Sequence, residues 1–169
     1  IIDVEGLATQ ADFEPFRERI ARSDAAVVAL LRRQGGVVLG KTTTAQLAFA
    51  DPPGTVNPWA TDRSPGGSSS GSAAAVAARQ VPLALSTQTG GSALRPAAFC
   101  GCVGFKPSHG LISTEGLFPV AWTMDTVGVA TRSVRDCELF LSAAAPQLDA
   151  GAVRLTGPPR LGFIAATLE

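Results

Sequence analysis

The sequence predicts an α/β sandwich in which a central sheet is covered by helices on both sides. Three observations carry that expectation. Short apolar runs of strand length alternate with helical stretches along most of the chain. The runs are continuous rather than alternating, as in strands buried on both faces. The segment 72–78 is almost free of polar side chains, so it reads as an internal helix rather than a surface one.

Residues 12–34 have helical periodicity. Asp12 stands where a cap belongs, Pro15 suits a first turn, and Phe13, Phe16 and Ile20 recur at three- and four-residue steps. A second helix is expected from Ser23, with Val27, Leu30 and Leu31 on one face and Gly35-Gly36 as its stop. Val37-Val38-Leu39 then reads as a short buried strand, followed by Gly40-Lys41-Thr42 and a helical stretch through Ala45-Gln46-Leu47. Four prolines among residues 51–70 mark an irregular passage.

The small-residue helix comes next, and Leu83-Ala84-Leu85-Ser86 reads as a strand running into the tight turn Thr89-Gly90-Gly91-Ser92. A short helix at 96–99 and a short strand at Val103-Gly104-Phe105 precede the turn Pro107-Ser108-His109-Gly110. Ser133 caps a helix through Leu141, with Asp136 in the position of a capping-box acid. Residues 146–159 are a polar Gly/Pro linker, and Leu161-Gly162-Phe163-Ile164 reads as the beginning of a further strand. The expected division is therefore a core at 1–145 and a linker with a strand start at 146–169. The absence of an initiator Met and the strand-like end suggest a piece of a longer protein.

Composition narrows the function classes. The chain has 169 residues, 46% of them hydrophobic, so it can bury a core despite 18 glycines and 12 prolines. Fourteen basic residues balance fourteen acidic ones, no basic block exceeds two residues, and tyrosine is absent. Neither a phosphate-tracking stripe nor a base-stacking platform is visible, which argues against nucleic acid as a partner. Neither a signal peptide nor an apolar run of membrane-spanning length is visible, which argues against a membrane association. Cys100, Cys102 and Cys137 cannot all pair, and the single His109 offers no ligand set with them, so free thiols in a reducing, cytoplasmic setting and no metal or cofactor are expected.

Gly35 through Thr42 satisfies G-x-x-x-x-G-K-T, the phosphate-loop pattern. Its variable positions are the apolar run itself, so the strand falls inside the motif and no loop is left to wrap a phosphate. Lys41 has two other readings. On a surface it would snorkel; buried beside hydroxyls, its pKa would fall and its neutral amine would accept a proton. Hydroxyls are supplied by Gly66-Gly67-Ser68-Ser69-Ser70 and by Thr89-Gly90-Gly91-Ser92. Glycines before Ser92 let main-chain N–H groups converge on one point, as an oxyanion hole requires, although a plain turn has the same composition. Histidine-based serine chemistry would rest on His109 alone, and no G-x-S-x-G elbow is present.

These residues resemble the amidase signature family from about Ile2 to Ala144. Ile2-Asp3-Val4-Glu5-Gly6 looks like the tail of the family's K-D-x-x-D-V-x-G segment. Gly40-Lys41-Thr42 with Phe49-Ala50 resembles its lysine segment, and Pro65 through Ala73 its Gly/Ser-rich signature. Thr89 through Ser92, Pro96-Ala97, Phe99-Cys100-Gly101, Gly104 through Pro107, Asp125 through Gly128 and Arg132-Ser133-Val134 continue the likeness. The resemblance implies a mixed central sheet between helices, present here only in part. It implies Lys41 as base, Ser68 as a bridging serine after a cis peptide, Ser92 as nucleophile, and the N–H groups of Thr89, Gly90, Gly91 and Ser92 as oxyanion hole. The expected reaction is hydrolysis of a small-molecule amide through an acyl-serine. The alternatives are a silent scaffold or the glutamine-hydrolysing subunit of an amidotransferase, and a homo-oligomer stays open.

Gln88 stands where the family commonly has Asp, and Arg95 lies one residue later than the family's usual arginine. Gln88 is expected to alter local hydrogen bonding without removing the nucleophile. Arg95 supports the turn or meets substrate. Trp59, Phe118, Trp122 and Met124 line an acyl pocket or pack in the core.

Overall fold

A computed structural model of the chain describes residues 1–49, 54–148 and 157–159. The fold is α/β, a sheet flanked by helices, as the sequence predicts. Helices α1 (Ala26–Arg33), α2 (Ser70–Ala77), α3 (Leu94–Cys100) and α4 (Val134–Ala144) accompany strands β1 (Leu83–Gln88), β2 (Val103–Phe105) and β3 (Thr126–Thr131). The sheet order is β1-β3-β2, and the pairings present among the described residues are antiparallel. Central β3 is buried along its whole length, and Val127 and Val129 are fully buried. One core cluster joins them to Val27, Val28, Ile112 and Phe140.

Helix α2 is internal, as its missing polar face demands: six of its eight residues are buried. Its small side chains let the backbone of the lysine segment approach closely. A Cβ at Gly71 would stand 2.6 Å from Thr43 N, so only glycine fits there. Ser133 accepts from Asp136 N at 3.2 Å and donates to Asp136 Oδ2 at 2.8 Å, closing the expected cap on α4.

Two expectations are corrected. Residues 12–20 form a single 3-10 turn at Glu14–Phe16 instead of a helix. The chain doubles back here, with Gly6 N donating to Ala21 O, Ala21 N to Leu7 O and Thr9 N to Arg19 O. These pairings engage backbone groups that a continuous helix would need for itself. The following helix starts at Ala26 rather than Ser23, and a left-handed Gly35 with Gly36 N donating to Leu31 O ends it as expected. The second correction concerns Val37-Val38-Leu39, which is neither a strand nor buried: Val37 is 81% and Leu39 75% exposed. No strand pairs with it among the described residues, and a lone apolar run has nothing to bond to. The expected strand at 161–164 lies outside the described residues.

Candidate active site

The turn Thr89–Ser92 sits between the end of β1 and the start of α3, so a strand and a helix fix its two sides. Gln88 Oε1, at the strand end, accepts from Ala93 N at 3.0 Å and Leu94 N at 3.1 Å. Asp125 holds the other flank. One of its oxygens accepts from Thr89 Oγ1 at 2.6 Å, and the other accepts from Val120 N and Ala121 N at 2.8 and 2.9 Å. The N–H groups of Thr89, Gly90, Gly91 and Ser92 have no acceptor among the described residues. Four consecutive donors, on a turn clamped at both ends, thus have no acceptor of their own among the described residues.

Ser68 lies against this turn. Its peptide bond with Gly67 is cis, the residue is 1% exposed, and its hydroxyl has no hydrogen-bond partner among the described residues. The next residue ties the two serine segments together, Ser69 N donating to Ser92 O at 3.2 Å. Arg95 Nε donates to Gly67 O at 2.9 Å, so Arg95 supports the peptide preceding Ser68. Ser68 O in turn accepts from Thr44 Oγ1 at 2.8 Å and Ala45 N at 2.9 Å, which joins it to the lysine segment. The Thr42 and Ser72 hydroxyls share a further bond of 2.9 Å.

Lys41 is half-buried, and its Nζ donates to Thr9 Oγ1 at 2.5 Å. Burial is the main influence on this ammonium and pushes its pKa below the ordinary value. The Asp3 carboxylate opposes that shift and Arg19 assists it. Asp3 and Arg19 form a bidentate pair at 2.7 and 2.9 Å. Hydrogen bonds thus link the three segments, but no side-chain relay joins them: Lys41 is bonded to Thr9, while Ser68 Oγ has no partner among the described residues. A cavity of about 760 Å³ opens on the Lys41 side, between Val28, Leu31 and Phe140 and the unpaired Val37–Leu39 run; Ser92 does not line it.

The phosphate-loop match has no structural counterpart, since Gly35 terminates α1 and no helix follows Thr42 directly. Of the proposed pocket walls, Trp59, Trp122 and Met124 are exposed by 72, 84 and 51%, so they do not pack in the core. Phe118 stacks edge-on with Phe16 at 5.7 Å. Trp59 Nε1 donates to Cys100 O at 2.6 Å. The cysteines are free, and burial pushes the Cys100 thiol up to about 11. Among the described residues no helix is long and apolar enough to cross a membrane.

Sequence reasoning passed over Thr9 and the structural part played by Asp125. Asp125 had a readable signal, since a lone acid directly before the β-branched run Thr126-Val127 cannot share the core face without partners. Thr9 carries no such mark. Its role arises from the doubling back of residues 6–21.

Known proteins resemble this chain over most of its length. The Amidase family profile matches residues 1–153. The chain is 48% identical over 127 residues to a glutamyl-tRNA(Gln) amidotransferase subunit from Clostridium botulinum, covering 72% of this chain and 26% of that protein. It is 43% identical over 170 residues to indoleacetamide hydrolase of Pseudomonas syringae, covering 96% of this chain and 38% of the relative. The crystal structure of the corresponding glutamyl-tRNA(Gln) amidotransferase subunit from Thermotoga maritima superposes with a TM-score of 0.82 at 38% identity, over 85% of this chain and 33% of that one. The chain thus spans between about a quarter and two fifths of the length of these relatives. With residues 1–153 matched and its fold shared, the chain belongs to the Amidase family.

Proposed function

We propose that this chain carries the catalytic core of a serine amidohydrolase that cleaves carbon–nitrogen amide bonds through an acyl-enzyme on Ser92. The observation that carries the reading is the clamped turn whose four N–H groups, like the buried hydroxyl of Ser68 beside it, have no partner among the described residues. In the proposed reaction, Ser68 passes its proton to neutral Lys41 and takes the proton of Ser92. Ser92 Oγ bonds to the amide carbon, and the carbonyl oxygen gains negative charge against the turn's donors. The relayed proton returns to the departing nitrogen, the C–N bond breaks, and an ester remains on Ser92. Water then enters, gives a proton to the same relay, and releases the acid. Lys41 must leave Thr9 to complete the path, and its lowered pKa favours the neutral amine this needs.

The relatives favour glutamine as the amide donor, the reading in which this is the core of an amidotransferase subunit with ammonia as product and protein partners to receive it. A free small-molecule amide is the second reading, favoured by the alignment with indoleacetamide hydrolase across 96% of the chain. The open relay favours a silent scaffold instead. Ammonia release from L-glutamine and from a set of aryl and alkyl primary amides, with Ser92→Ala as control, separates the three. Release from glutamine abolished by Ser92→Ala supports the first reading, and release from other amides alone supports the second. No release from any of them by the folded protein overturns hydrolysis and leaves the scaffold.

A further inference from the structure

We infer that Gln88 is a positioning residue for the nucleophile turn, its side-chain carbonyl dividing the main-chain donors around Ser92 into two that hold α3 and four left for the reaction. The inference rests on the reading of Ser92 as nucleophile. Helix α3 has no cap of its own: its N-cap residue is Ala93, which makes no side-chain hydrogen bond. The first N–H groups of a helix lack intrahelical acceptors, and if unclaimed they turn to water or to any nearby anion. Gln88 claims two of them, at Ala93 and Leu94, from a residue only 6% exposed. Both partners are donors, so the oxygen must face them and the amide NH2 must point away.

The main chain of Gln88 is fixed independently, in register with Thr126 of β3. Its side chain therefore spans from the sheet across the turn to the helix, and Ser92 lies inside the closed ring. Loss of this bridge would free the ring to open and would present Ala93 and Leu94 N–H as competitors for the oxyanion. What the position requires is an acceptor, so Glu at the same length should serve and Met should not.

The test compares wild type, Gln88→Met and Gln88→Glu by steady-state kinetics and by amide hydrogen exchange at Ala93 and Leu94. In Gln88→Met we expect kcat to fall about 10- to 100-fold, as for losing a positioned hydrogen bond. KM should move less than about threefold, and both amides should exchange faster. Gln88→Glu should restore slow exchange and bring kcat to within about threefold of wild type. A folded Gln88→Met protein with wild-type kcat overturns the inference, whatever its exchange rates. So does a fall in kcat that Gln88→Glu fails to rescue while exchange is slow. If wild type itself has no Ser92-dependent turnover, the hydrolase reading fails instead, and the exchange comparison alone decides whether Gln88 holds the turn.

Discussion

The two serine segments and the lysine segment are built in different ways. Leu83-Ala84-Leu85 and Val37-Val38-Leu39 are nearly the same chemistry, short apolar runs that lead into a polar turn. The first is a strand because β3 lies beside it in register over six residues. The second has no strand neighbour among the described residues and stands largely in the open. A strand is a relation between segments, and composition alone supplies only one side of it. In consequence, the nucleophile turn inherits its position from the sheet and from α3. The lysine is held by a few threonine and backbone bonds, from Thr42, Thr44, Ala45 and Thr9.

Substitution can break this comparison where it matters most. Replacing Lys41 by Met should lower kcat about 10³-fold, within the range for losing a general base, because no other amine among the described residues is bonded at Thr9. Circular dichroism should show the fold intact, since the segment carries little of the core. A loss of less than about tenfold would mean that Lys41 is not the base.

The sheet side should show the reverse balance. Val129→Ala removes part of a fully buried side chain in the central strand and should destabilise by about 2 kcal/mol in urea unfolding. Leu39→Ala, on the exposed run, should cost less than about 0.5 kcal/mol. Equal losses at the two positions would show that the lysine segment is packed in solution after all.

Asp125→Asn probes the other clamp on the turn. Asn retains one acceptor oxygen where the carboxylate uses two, so either Thr89 or the 120–121 amides lose their partner. We expect kcat to fall about tenfold from the poorer placement of the turn. Unchanged kcat would assign Asp125 to the loop alone.

The smallest effect concerns pH. If the neutral amine of Lys41 is the proton acceptor, activity rises as pH rises through its pKa and is lost below it. Asp3 stabilises the ammonium, so Asp3→Asn should move this limb of the kcat profile to lower pH. A shift upward would place the titrating group elsewhere.

Much of the site is legible in the sequence because its parts are local. Gly66, before Ser68, marks a close backbone approach, a Cβ there standing 2.9 Å from Pro96 Cα, and α2 announces its burial by lacking a polar face. What the sequence hides is what depends on distant partners. The β-branched character of Thr126–Thr131 is a strand signal in itself, yet only pairing on both edges makes β3 the centre of the sheet. The helical spacing of Phe13, Phe16 and Ile20 is real, but Phe13 and Phe16 stack edge-on at 5.1 Å around a single turn once residues 6–9 and 19–21 pair. Arg95, open between two roles in the sequence, is assigned to the Gly67 carbonyl by one contact.

The most direct measurement of the central claim is peptide mapping by mass spectrometry after treatment with a fluorophosphonate. The expected result is a single adduct on Ser92, absent in Ser92→Ala and much slower to form in Lys41→Met. A folded protein that leaves Ser92 unmodified, or that labels Ser92 equally fast without the Lys41 amine, would contradict it.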